Sequence, residues 1–208
     1  VGDGSLGGKA RGLAFLNSLV QKYNLSRKYD DVKISIPRTV VVATDYFDQF
    51  IVENGLQYVI DSEISDEEIL SEFVSSRLPE GLVEQLRSYI DTVRTPLAVR
   101  SSSKLEDSSY QPFAGVYSTY MIPLVENKSQ MLRMLGKAIK SVYASVFYAG
   151  SRTYIQTTAN LLSEEKMAVV IQSICGSQHD GLYYPMLSGV ARSVNFYPIG
   201  SEKPEDGI

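Results

Sequence analysis

Apolar positions along the chain switch repeatedly between helical and strand-like spacing. Leu13, Leu16, Val20 and Tyr23 recur at helical intervals and predict a first helix over 9–23. A β-branched run over 39–43, led in by Ile36-Pro37, predicts a strand. Thr44 or Asp45 is then placed to cap a short helix carrying Tyr46, Phe47, Phe50 and Ile51 on one side, stopped near Gly55. Ser65 and Glu68 have capping-box spacing, with Ile64 and Ile69 spaced as a staple, so a helix follows through Phe73. Another begins after Pro79 and shows Leu82, Leu86, Tyr89 and Ile90. The apolar run Pro96 to Val99 predicts a buried strand, and a second strand is expected over 116–122. The longest helix is expected over 129–148, burying Met131, Leu135, Ala138, Ile139, Val142 and Val146, with Gly150 ending it. Strands over 167–174 and 189–196 complete a mixed α+β (α/β) order.

At 208 residues the chain is long enough for one sizeable domain, or for two lobes divided as 1–125 and 126–208. A single cysteine, Cys175, excludes a disulfide framework and fits a reducing cytosol. A formal net charge of −4 without a basic patch argues against a nucleic-acid surface. There is no apolar run of membrane-spanning length and no secretory leader pattern, so a cytoplasmic location is expected. The start at Val1 and the charged tail before Ile208 suggest a piece of a longer protein.

Two segments carry candidate chemistry. In the first, Arg100 stands at the end of the apolar run, where a planar guanidinium can fork onto phosphate oxygens. Ser101, Ser102 and Ser103 add hydroxyls, and Glu106 and Asp107 are placed to orient Arg100. Phe113-Ala114-Gly115 follows, with small residues whose backbone amides can approach an anion. A polar hairpin loop with one surface arginine fits the same residues equally well. The second segment, Gly4-Ser5-Leu6-Gly7-Gly8-Lys9-Ala10, sets glycines and Lys9 at the amino end of the first helix, where free amides face a ligand. It departs from the phosphate-binding loop pattern at Asp3 and at Ala10, so a plain flexible helix entry also suits it.

Taken in order, the Gly-Gly-Lys helix start, the strand IPRTVVVATDYFDQF, the block VRSS…ED…FAG.YST, and the later MAVVIQ and SGVA resemble the amino-terminal nucleotide-binding domain of phosphoenolpyruvate synthase and pyruvate phosphate dikinase. The resemblance covers nearly the whole chain and implies an incomplete ATP-grasp fold with ATP between two lobes. It implies phosphoryl transfer from ATP to a histidine on a separate domain and then to pyruvate. Lys9 and Arg100 match the family's phosphate-contacting, catalytic residues, with Ser101 beside them. Gly115, Val116, Tyr117, Ser118 and Thr119 match the loop that covers the phosphates, and Gln172 to Ile174 the segment near the adenine. Mg2+ is implied with ATP, its ligands expected beyond Ile208 and none within this chain. Arg152 stands where the family has an arginine after the long helix, whereas the only histidine, His179, lacks the family's phosphocarrier surroundings. The implied partners are ATP and the phosphohistidine and pyruvate domains of the longer protein, and the piece alone is expected to be inactive. The same domain with an antibiotic or glucan acceptor, or as a nucleotide-sensing module without turnover, remains open.

Overall fold

Strand β4 (Met167–Ser173) is buried on both faces along its MAVVI run, because it is one of the two inner strands of the sheet. The computed structural model describes residues 1–60, 62–103, 117–157 and 165–207. β4 pairs antiparallel with β1 (Thr39–Val42) on one side and β2 (Leu97–Ser103) on the other, and β2 pairs antiparallel with β3 (Thr119–Ile122). The order is β1-β4-β2-β3, so β4 lies across the 125/126 boundary from the strands it joins.

Register decides which side chains share a face, since paired residues point the same way and neighbours alternate. Thr39, Gln172 and Ala98 line up, as do Val41, Val170 and Arg100, so these six residues share one face. Val99, Ile171, Val169, Leu97 and Met167 point to the other, into an apolar core with helices α2 (Thr44–Glu53), α3 (Asp66–Ser75), α4 (Glu80–Ile90) and α5 (Lys128–Ala144). Phe50 and Phe73, with ring centroids 5.7 Å apart, and Phe47 and Tyr143, at 5.1 Å, fill its centre. The capping box forms as expected, with the Glu68 amide donating to Ser65 Oγ and the Ser65 amide donating to the Glu68 carboxylate. Leu82, Leu86, Tyr89 and Ile90 are the buried stripe of α4.

Helix α1 (Gly7–Lys22) starts two residues earlier than expected and buries only Gly7 and Ala10. Of its expected apolar stripe, Leu13 and Val20 are half-buried, whereas Leu16 and Tyr23 are 49% and 60% exposed. Neither Thr44 nor Asp45 caps α2: Ala43 is the N-cap, and both side chains are engaged by the first residues of the chain. β2 does not stop at Arg100 but runs on through Ser103, because β4 supplies ladder partners as far as the Ser103–Met167 pair. β3 begins at Thr119. The long helix ends at Ala144, followed by a 3-10 turn over Ser145–Phe147, and Gly150 lies inside a new helix α6 (Ala149–Thr157). Extended backbone at Tyr148 breaks the path, while Ser145 Oγ donates to the Val142 carbonyl and Ser151 Oγ to the Ser145 carbonyl. Residues 189–196 do not form the expected strand, because no described strand offers them a ladder.

The fold divides into a unit Val1–Ile174 and a unit Cys175–Ile208. The second contains a hairpin of β5 (Ser177–His179) and β6 (Leu182–Tyr184), turned by Asp180 and Gly181, both at positive φ. A 3-10 turn over Pro204–Asp206 holds the Asn195 amide. The mixture of helices with an antiparallel sheet is an α+β architecture.

Candidate functional site

The pairing of β3 with β2 ends at Arg100–Thr119, whereas β4 follows β2 to Ser103. The end of α1 docks against this last part of β2. Gly7 has φ +72°, and a Cβ there would fall on the Ser102 carbonyl oxygen, far inside the 3.0 Å that real Cβ atoms keep. Ser102 Oγ donates to the Leu6 carbonyl at 2.8 Å and accepts the Ala10 amide at 3.1 Å. One strand hydroxyl thus satisfies an otherwise orphan first-turn amide of α1, whose own N-cap, Leu6, offers no side-chain bond. Lys9 Nζ donates to Ser101 Oγ at 3.3 Å.

The two candidate segments, 92 residues apart, therefore meet. Ser101, Ser102 and Ser103 were expected on a loop, yet all three are fully buried strand residues. Arg100 is half-buried on the α1 side of the sheet, and its guanidinium makes no hydrogen bond or ion pair with a described residue. Thr119, its ladder partner, is exposed at the start of β3. Glu106, Asp107, Gly115 and Val116 lie outside the described residues. Tyr117 is buried, and its hydroxyl donates to Glu165 Oε1 at 3.1 Å, while the Ser118 amide donates to Ser145 Oγ.

Gln172 shares the Arg100 face, one ladder step away, and its amide Nε2 donates to Thr39 Oγ1 at 3.0 Å. The Ser173 and Ile174 amides donate to the Arg38 and Pro96 carbonyls, so those two donors are taken by neighbouring chain. On the same side, a groove of about 320 Å³ opens between α1 and β1, lined by Leu6, Ala10, Leu13, Thr39 and Val41 among others. A larger groove of about 700 Å³ is bordered by Arg77, Arg133, Lys137 and Lys140, and includes none of the candidate residues. Its chemistry is partly spoken for, since Lys140 Nζ donates to the Val74 and Ser76 carbonyls and burial lowers its pKa.

Arg152 closes turns in the fold: its guanidinium donates to the carbonyls of Phe147, Ser62 and Val59. His179 is exposed in the second unit, 2.9 Å from Ser177 Oγ and beside the Tyr184 ring. Among the described residues, no group of three or more His, Cys, Asp or Glu side chains is gathered to hold a metal ion, and no helix is long and apolar enough to cross a membrane.

Sequence reasoning missed Ser102 as the docking hydroxyl and Asp45 as an anchor. The signal for Ser102 was its place two residues after Arg100, on the same strand face. Asp45 carried no such signal, because its partners are backbone amides of the distant segment Asp3-Gly4.

The family model of the pyruvate phosphate dikinase AMP/ATP-binding domain matches residues 3–207. A Bacillus subtilis (strain 168) protein named uncharacterized phosphotransferase YvkC is 28% identical over 151 residues, which are 73% of this chain and 17% of that protein. A phosphoenolpyruvate synthase of Aeropyrum pernix is 25% identical over 173 residues, 73% of this chain and 20% of that protein. The chain spans about a fifth of the length of these curated relatives. With a match over almost its entire length, the chain belongs to the pyruvate phosphate dikinase AMP/ATP-binding domain family.

Proposed function

We propose that this domain adopts the ATP-grasp arrangement and holds ATP for phosphoryl transfer to a histidine on another domain of a longer, phosphoenolpyruvate synthase-like protein, which passes the group to pyruvate. The observation that carries the reading is the docking of Gly7 to Ala10 on Ser101 and Ser102, the two residues that follow Arg100 on β2, with Lys9 Nζ bonded to Ser101 Oγ. Phosphoryl transfer asks a protein mainly for positioning and charge neutralisation. Lys9 supplies a compact charge and Arg100 a planar fork, the complementary pair for a polyphosphate that loses its terminal group. Thr119, opposite Arg100, and the preceding residues 115–118 cover the phosphates. Gln172 to Ile174, at the end of the strand that pairs with Arg100's strand, lie along the adenine. Mg2+ supplies charge neutralisation when bound with ATP; its ligands belong to other parts of the longer protein, and residues 1–208 alone do not turn over. The name of the Aeropyrum relative supports pyruvate as the final acceptor.

The test is Arg100→Ala in the full-length protein. ATP-dependent phosphorylation of the acceptor is expected to fall by at least a hundredfold, with the circular dichroism spectrum and melting temperature unchanged. Retained phosphorylation would remove Arg100 from the site.

A further inference from the structure

We infer that Asp45, assisted by Thr44, is a positioning residue for Lys9, holding the glycine-bearing segment in front of α1 in the geometry that presents the lysine to phosphate. The inference rests on the reading of Lys9 as a phosphate ligand. The Asp45 carboxylate accepts the Asp3 amide on Oδ2 at 3.0 Å and the Gly4 amide on Oδ1 at 3.1 Å. Thr44 Oγ1 accepts the Ser5 amide at 2.9 Å, and the Thr44 amide returns a bond to the Ser5 carbonyl. The Ala43 amide donates to the Val1 carbonyl, and the Val1 nitrogen to the Val41 carbonyl. Residues 1–5 are thereby laced along the end of β1 and the start of α2.

The fit leaves no slack. A Cβ at Gly4 would stand 2.5 Å from the Asp45 backbone nitrogen and 2.7 Å from Thr44 Oγ1. Burial raises the Asp45 pKa, but the amides of Asp3 and Gly4, with those of Asp45 and Tyr46, outweigh it and hold the carboxyl below its ordinary value. From this anchor Leu6 is the next residue, and Ser102 Oγ takes its carbonyl. The loop is thus fixed at both ends, by Asp45 from α2 and by Ser102 from β2, and Lys9 follows within the first turn. Neither anchor needs to touch the ligand. Freeing the first end leaves α1 attached to β2 but lets the lysine's approach to phosphate vary, a loss of preorganisation paid on binding.

The experiment is a double-mutant cycle in the full-length protein, reading Kd for ATP and for adenosine by calorimetry. Lys9→Ala is expected to weaken ATP without changing adenosine. Asp45→Asn, which keeps volume but sets an amide against donors, is expected to weaken ATP by about tenfold and leave adenosine unchanged. In the Lys9→Ala background, Asp45→Asn is expected to have no further effect on ATP. If Asp45→Asn does not fold, Thr44→Val, which removes only the Ser5 acceptor, carries the same cycle, with Thr44→Ser restoring wild-type affinity. Equal loss of ATP and adenosine, or an undiminished Asp45 effect without Lys9, would overturn the clamp while leaving Lys9 in the site. No effect of Lys9→Ala on ATP would overturn the reading of the lysine itself, and the clamp with it.

Discussion

Replacing Gly7 by alanine drives a methyl group into the Ser102 carbonyl, at the contact that seats α1 on the sheet. Two costs add. The left-handed backbone at φ +72° carries roughly 1–2 kcal/mol for a residue with a Cβ. Relieving the overlap with a fully buried strand that is held by β4 adds about 1–3 kcal/mol, as in other overpacked sites. The sum of roughly 2–5 kcal/mol corresponds to a melting temperature lower by about 5–15 °C for a chain of this size. The assay is thermal unfolding of the domain followed by circular dichroism, with Gly12→Ala as its counterpart. Gly12 lies inside the same helix with nothing near its missing Cβ, so alanine there is expected to stabilise by up to about 1 kcal/mol. Opposite signs are expected for two identical substitutions five residues apart, and a loss at Gly7 beyond the roughly 1–2 kcal/mol of its left-handed backbone reports the docking on Ser102. A Gly7→Ala protein melting within about 2 °C of wild type would refute the close approach of α1 to Ser102.

Three further outcomes are expected. Tyr143 is fully buried, its hydroxyl has no hydrogen-bond partner among the described residues, and burial with the nearby acidic groups of Asp45 and Asp48 raises its pKa well above the ordinary value; Tyr143→Phe is therefore expected to be neutral or stabilising by about 1 kcal/mol in urea unfolding. Arg152→Lys is expected to destabilise by roughly 1–3 kcal/mol in the same assay, because one ammonium cannot reach the three carbonyls the guanidinium joins. Asp45 has a folded pKa below its unfolded value of 3.8, so its stabilisation is present above that pH and is lost as pH falls through the folded pKa. The melting-temperature gap between wild type and Asp45→Asn should hold from pH 7 to about 5 and close below about 3.8.

Elements whose signals are local were readable in the sequence. The Ser65–Glu68 box, the stripe of α4 behind Pro79 and the unbroken apolar run of β4 each carry their instruction within a few residues. Elements defined by a distant partner were not. Ser101 to Ser103 look like loop, and become strand because Val169, Ala168 and Met167 pair with them. Residues 189–196 have the composition of a strand, and stay irregular where no ladder meets them. Asp45 has the spacing of a helix cap, but amides from a segment about 40 residues earlier compete for it and win.

The candidate site shows the same division. Lys9 and Arg100 each stood out as candidates, because glycines before a helix and an arginine after an apolar run are patterns that can suit phosphate. What no local pattern could supply was their conjunction, which depends on β2 continuing past Arg100 as a strand of serines. A run of valines there would bury as well, but it would leave the Leu6 carbonyl and Ala10 amide without a partner in a dry interface, a cost of about 1–3 kcal/mol for each. In the fully buried pair Ser101 and Ser102, the Ser102 hydroxyl completes the start of α1 and the Ser101 hydroxyl holds Lys9. Buried polarity in β2 is thus the physical link between the two motifs, and it explains why Gly7 and Arg100 must be understood as parts of one structure.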